Sequence, residues 1–291
     1  PTTFFALTSV GKKFPDVLTQ LGRKHEVGFH GDIHIGFKDQ TVAAQEQRIK
    51  AMYADLRSVL PDTSAVVGFR APVEGYDATT EKLLQHYGVR YHVADPNRSE
   101  ARLPKMAQLD GVDPEEDIVV LPRTQRDDIN LYWEKLPVDQ LSKAMSNDAA
   151  LVLENGGLSL LSVHSQNFGT DSALYKALPA HLVYLKQKRN FFWSASAGQV
   201  ADWWRQRERF RVASRFAGKR LEFDVSVVGK SPVRGGTVLV MLPQKGVTAK
   251  VHSTKTTGLK PTIVRLDPYR VAIVFDALPP GNYSYQVTFE P

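Results

Sequence analysis

The chain contains no cysteine. That excludes disulfide bonds, thiolate metal sites and a cysteine nucleophile. It does not fix the compartment, because many bacterial envelope proteins also lack cysteine. No run of about 18 apolar residues occurs, so no segment is expected to span a membrane. No signal-peptide pattern is visible. The chain opens on Pro1-Thr-Thr-Phe-Phe-Ala-Leu, which reads as a strand entered midway. A processed or truncated product is therefore expected, and the missing signal says little about location. Arginine-rich runs and aromatic-basic RNA motifs are absent too, which leaves nucleic acid without support as a partner. Internal repeats and low-complexity linkers are also missing.

What is present fits a soluble globular protein of two domains. The length is 291 residues, with 42% hydrophobic, 23% charged and 10% aromatic. Either domain is large enough to bury a core. The net charge of +6 is unevenly spread. From Glu208 onward there are 13 Lys/Arg against 6 Asp/Glu, and before it 24 against 25. The basic surplus belongs to the C-terminal segment. Its ordinary reading is a solvated face; the functional one is weak attraction to an acidic polymer or surface.

Residues 1–207 alternate short β-like runs with amphipathic helices. Strands are predicted at Phe4–Leu7, Glu26–Phe29, Ala65–Phe69, Val89–Val93, Ile118–Leu121, Leu158–Val163 and Phe191–Trp193. Between them, Ile49, Met52, Tyr53, Leu56 and Leu60 recur at helical spacing. Asp77 can cap a helix carrying Leu83, Leu84 and Tyr87, closed by Gly88. Further helices are predicted at Pro137–Met145, at Leu174–Leu185 with a bend or break near Pro179, and at Gln199–Arg207. A β-then-α order implies a mostly parallel sheet with right-handed crossovers. After Arg211 the period becomes two: Leu221, Phe223, Val225 and Val227, then Val238, Val240 and Leu242, and later Tyr283, Tyr285, Val287 and Phe289. With Gly/Pro turns between the runs, this predicts an all-β sandwich over 208–291.

Three groups of polar residues follow predicted strands of the α/β part: His30 with His34, Arg70, and His164. In parallel α/β folds the strand C-terminal ends converge on the active site. The His30-Gly-Asp-Ile-His34 spacing lets two imidazoles share a face if the segment is a helical turn, as two ligands of a Zn²⁺-like ion require. Unrelated surface or core histidines are the competing reading. Asp32 is not at the general-base position of the zincin pattern. His164 ends an apolar run and suits a general acid, or else a capped structural histidine. Arg70 can orient a carboxylate bidentately or simply hold an ion pair. Asp95 can orient His164 or start a turn.

In order and spacing, His25-Glu-Val-Gly-Phe-His30-Gly-Asp-Ile-His34, Gly68-Phe-Arg70-Ala-Pro72 and Leu160-Leu-Ser-Val-His164 resemble the polysaccharide deacetylase (NodB-like, carbohydrate esterase) family. The resemblance covers roughly residues 1–207, and the run from Ala201 to Arg207 resembles the end of envelope-associated members. It implies a distorted (β/α) barrel and hydrolysis of N-acetyl groups on an amino-sugar polysaccharide or oligosaccharide of the cell envelope, in a periplasmic or other extracytoplasmic setting. It implies that His30 and His34 bind a divalent metal, of which Zn²⁺ is the first expectation. It also implies that His164 protonates the leaving amine, Arg70 orients the catalytic base and Asp95 tunes His164. Two departures stand out. The family's Asp pair, which supplies the base and the third metal ligand, is missing, and an upstream segment is expected to hold it. As written, the chain should be a poor catalyst. Gly31 also replaces the usual Ser/Thr, and Ile35 the usual Pro.

Three competing readings remain: a non-catalytic glycan-binding member, an amide hydrolase acting on small cyclic ureides, and an interaction module centred on the basic β-rich part. The kept His pair argues against the second. Trp133 can stack on a sugar ring, with core packing as the ordinary reading. Tyr269, Tyr283 and Tyr285 can form an aromatic platform, with the core again the ordinary place for the last two.

Overall fold

The computed structural model describes residues 2–60, 65–94, 102–218, 220–254 and 259–290. The chain divides into two compact units, Pro1–Ala201 and Asp202–Pro291.

The first unit is built on strands β1 (Thr3–Ala6), β2 (Glu26–Phe29), β3 (Gly68–Arg70), β4 (Tyr91–Ala94), β5 (Lys105–Met106) and β6 (Val119–Pro122). They lie in the order β1-β2-β3-β4-β6-β5. All neighbours are parallel except β5, which runs antiparallel to β6. The parallel strands follow one another in chain order with no reversal, which is the winding of a (β/α) barrel rather than of a doubly wound sheet. Strands such as Tyr91–Ala94 and Val119–Pro122 are buried at every position, as a sheet covered on both faces demands. Gly68 is required by its neighbour: a Cβ there would sit 2.2 Å from the Tyr91 hydroxyl. That hydroxyl crosses the sheet to donate to Glu26 Oε1 at 2.7 Å.

The helices of this unit are α1 (Thr8–Gly11), α2 (Pro15–Lys24), α3 (Val42–Arg57), α4 (Ala78–His86), α5 (Asp128–Trp133), α6 (Val138–Asn155), α7 (Ala173–Gln187) and α8 (Ala197–Arg209), the last continuing into the second unit. On α3, Ile49, Met52 and Leu56 are fully buried, as their spacing predicts. Asp77 caps α4 through a reciprocal box with Thr80, and Gly88 takes φ +87 beyond its end. α7 is one helix through Pro179. α6 runs ten residues beyond the predicted Met145, until Gly156 at φ +68 ends it.

Two predicted strands are absent as ladders. Leu158–Val163 is held instead by Thr124, whose hydroxyl donates to the Leu158 carbonyl at 2.6 Å and accepts from Leu160 N–H at 3.0 Å. Of this run only Ser162 is buried, and Val163 is 46% exposed. Phe191–Trp193 lies in a bend after α7, with Phe191 and Trp193 exposed and Phe192 half-buried.

The second unit holds two antiparallel sheets. One has the order β10-β13-β8-β7 and the other β11-β12-β9. Their strands are β7 (Phe210–Ala217), β8 (Arg220–Val227), β9 (Val233–Met241), β10 (Thr248–Ser253), β11 (Thr262–Asp267), β12 (Arg270–Leu278) and β13 (Gly281–Glu290). The inward residues of both sheets share one core, in which Tyr285 stacks on Phe223 at 5.3 Å and meets Phe275 at 5.1 Å. Tyr283 and Tyr285 are therefore core residues, whereas Tyr269 is exposed.

Candidate active site

Phe29 on β2 faces Phe69 on β3 in register. The next residues, His30 and Arg70, therefore emerge side by side at the C-terminal edge of the parallel sheet. The His30 imidazole donates from Nδ1 to the Arg70 carbonyl at 2.8 Å. This leaves Nε2 with its lone pair, the form that binds a metal. Burial pushes His30 down to about 4. The bond to the Arg70 carbonyl opposes that shift, and the charges of Arg70, His34 and His164 add to it. His30 is therefore neutral at pH 7.

His34 is exposed, and its ring centroid lies 5.2 Å from that of His30. The segment between them is not the helical turn that the spacing suggests. It is a bent loop in which Gly31 takes φ +89, and a Cβ there would meet Pro72 Cγ at 3.0 Å and the Ile33 carbonyl at 3.1 Å. This accounts for glycine at that position. The loop is pinned by Thr8 and Ser9, whose N–H groups donate to the Gly31 and Asp32 carbonyls. Arg48 of α3 holds it from the other side. Its guanidinium lies 4.0 Å over the Phe37 ring and donates to Asp32 Oδ1 at 2.8 Å and to the Ile33, Ile35 and Gly36 carbonyls. Asp32 is thus spent on Arg48.

His164 donates from Nδ1 to Asp128 Oδ1 at 2.8 Å, and its backbone N–H donates to Asp128 Oδ2 at 2.9 Å. Asn167 adds a third bond to Oδ2 at 2.8 Å. Asp128 is fully buried, and it opens α5. The carboxylate that meets His164 is therefore Asp128. Asp95 lies outside the described residues. The Arg70 guanidinium bonds the buried Ser162 hydroxyl and, at 3.3 Å, Glu74. His34, His30, Arg70, Ser162, His164 and Asp128 thus form one contiguous constellation at the sheet edge. Trp133 does not pack in a core: it ends α5 with 69% of its surface exposed, beside an exposed Tyr132.

Asp128, Glu74, Arg123 and Arg48 are not singled out by the sequence pattern. A helix-start signal, Asp127-Asp128 ahead of an apolar stretch, was available for the first.

Residues 1–92 match the family model described as polysaccharide deacetylase. That span contains His30, His34 and Arg70. The first unit has the polysaccharide deacetylase fold. A candidate polysaccharide deacetylase of Mycobacterium smegmatis superposes with a TM-score of 0.61 at 19% identity, over 72% of this chain and 73% of that one. One of Pseudomonas aeruginosa PAO1 gives 0.61 at 18%, over 72% and 69%. PuuE allantoinase gives 0.57 at 17%, over 68% and 65%. At such identities the likeness is one of fold. No curated protein matches in sequence.

The fold implies a divalent metal, and the donors present fit it in kind but not in number. His30 and His34 offer two imidazoles, one with its tautomer set. A catalytic zinc site takes three protein ligands. Among the described residues, no group of three His, Asp or Glu side chains forms a metal site.

Proposed function

We propose that the first unit removes N-acetyl groups from amino sugars of a cell-envelope glycan, outside the cytoplasm, as a divalent-metal enzyme. The observation that carries this reading is the His164–Asp128 pair beside Arg70 and His30. Hydrolysis of the amide adds water across the C–N bond, giving acetate and a free amine. The leaving nitrogen needs a proton as that bond breaks. His164 is suited to supply it. Asp128 holds Nδ1–H and steadies the imidazolium, leaving Nε2 to hand over the proton. His30 and His34 would give a zinc-like ion two nitrogen donors, and a bound ion would polarise the acetyl carbonyl. With these two donors among the described residues, the chain is expected to hold metal weakly and to turn over slowly.

That no third donor joins the His pair among the described residues favours one second reading, a glycan-binding member without turnover. The kept His pair speaks against a ureide-hydrolysing role. No helix among the described residues is long and apolar enough to cross a membrane.

Acetate release from N-acetylglucosamine oligomers, measured with added Zn²⁺ or Co²⁺, tests the proposal. Release should be slow, metal-dependent, reduced in His30→Ala and abolished in His164→Ala. A His164→Ala variant as active as the parent would overturn the acid role. Oligomer binding with no release under any metal would establish the second reading.

A further inference from the structure

A line of alternating charge joins the two halves of this site. Arg123 is the first residue past β6, on the same sheet edge as Arg70. Its Nε lies 3.4 Å from Glu74 Oε1, and its NH1 bonds Asp127 Oδ2. Glu74 Oε1 also takes Arg70 NH2 at 3.3 Å. The order is thus Arg70, Glu74, Arg123, Asp127, and these side chains are only 8–22% exposed. These four charges, two of each sign, balance one another.

Each end is anchored to a different part of the site. The Arg70 carbonyl orients His30. Asp127 caps α5 by accepting Asn130 N–H at 2.8 Å, and the next residue is the Asp128 that holds His164. In the middle, Val73 and Glu74 both occupy the left-handed region, at φ 48 and 53. A β-branched residue is strongly disfavoured there. Val73 is also 71% exposed and gains little from packing. A strained turn persists where its surroundings over-determine it. Here Glu74 sits between two guanidiniums.

We propose that Glu74 and Arg123 are positioning residues, an ionic brace that sets the His164–Asp128 pair against the His30–Arg70 pair. Neither touches the acetyl group. The turnover arm of the test rests on the proposed deacetylation; the spectroscopic arm does not.

Arg123→Gln, Arg123→Lys and Glu74→Gln would be compared with the parent chain by NMR of the His164 Nδ1–H proton and by steady-state acetate release. Glu74→Gln is isosteric, which keeps the test valid should Arg123→Gln fold poorly. The brace predicts that Arg123→Gln and Glu74→Gln broaden or shift the Nδ1–H resonance and lower kcat at least tenfold, with KM within twofold. Arg123→Lys should lie between, because an ammonium reaches Asp127 without the fork that also engages Glu74. In a chain without measurable turnover the resonance alone decides. An unmoved resonance in both glutamine variants would overturn the brace, as would a loss confined to KM.

Discussion

Replacing Asp128 by asparagine keeps the volume of a fully buried side chain and removes its charge. Asp128 accepts three hydrogen bonds, from His164 Nδ1, His164 N–H and Asn167 Nδ2, at 2.8–2.9 Å. Bonds to a charged acceptor contribute about 1.5–3 kcal/mol each and do not add in full. Stripping one partner from a buried charged network costs about 3–5 kcal/mol. Asp128→Ala should lose that much, a large share of the roughly 5–15 kcal/mol that holds a typical domain. Asp128→Asn should lose less, on the order of 1–2 kcal/mol, because the amide oxygen still satisfies part of the set. Its NH₂ group, however, needs an acceptor where the carboxylate had none to seek. The imidazole can supply one only by moving its proton from Nδ1 to Nε2. The analogous change in a serine protease triad traps the wrong tautomer and lowers kcat about 10⁴-fold. Urea denaturation measures the stability difference, and long-range ¹H–¹⁵N correlation reads the tautomer directly. The reasoning fails if Asp128→Asn retains the Nδ1–H tautomer. It fails equally if Asp128→Ala stays within about 0.5 kcal/mol of the parent, the range of an inert surface change.

Arg48→Met keeps the apolar stem and removes the donors that hold the His30–His34 loop; amide exchange over residues 31–37 should accelerate, and unchanged protection would argue that α1 alone pins the loop. Glu26 accepts from Thr3 Oγ1, Tyr91 OH and Gly198 N–H, binding the start of α8 to the sheet, so Glu26→Gln should lower unfolding free energy by about 1–3 kcal/mol in urea titrations. Burial lowers the His181 pKa, with the Asp148 charge opposing it. The unfolded chain then takes up a proton that the folded one resists, so this contribution is complete above about pH 6.5 and is lost as pH falls below it. His181→Gln should shrink the gap between urea midpoints at pH 7.5 and 5. Trp133→Ala should leave stability within about 0.5 kcal/mol and weaken oligosaccharide binding several-fold by calorimetry, since an exposed ring contributes about 0.5–1.5 kcal/mol through stacking. Equal affinity would remove Trp133 from the substrate path.

Much of the fold is written locally. The spacing of Ile49, Met52 and Leu56 specifies the buried face of α3, Asp77 and Gly88 bracket α4, and the alternation from Leu221 to Val227 specifies β8. These features depend on residues within a turn or a strand of one another, and so they can be read along the chain. His30 and Arg70 were legible for a related reason, because a strand end in a parallel sheet is a position defined by the strand itself.

Other features depend on partners that only folding brings together. The apolar look of Leu158–Val163 suggests a strand, yet Thr124 hydroxyl bonds replace its ladder. The His34 ring reaches His30 through a left-handed glycine rather than a helical turn. Asp128 meets His164 across 36 residues, a pairing that no periodicity encodes. Hydrophobic period and caps act over a few residues and belong to the sequence. The partners of a buried charge are set by which strand ends and loops arrive at the same place, and that belongs to the folded chain.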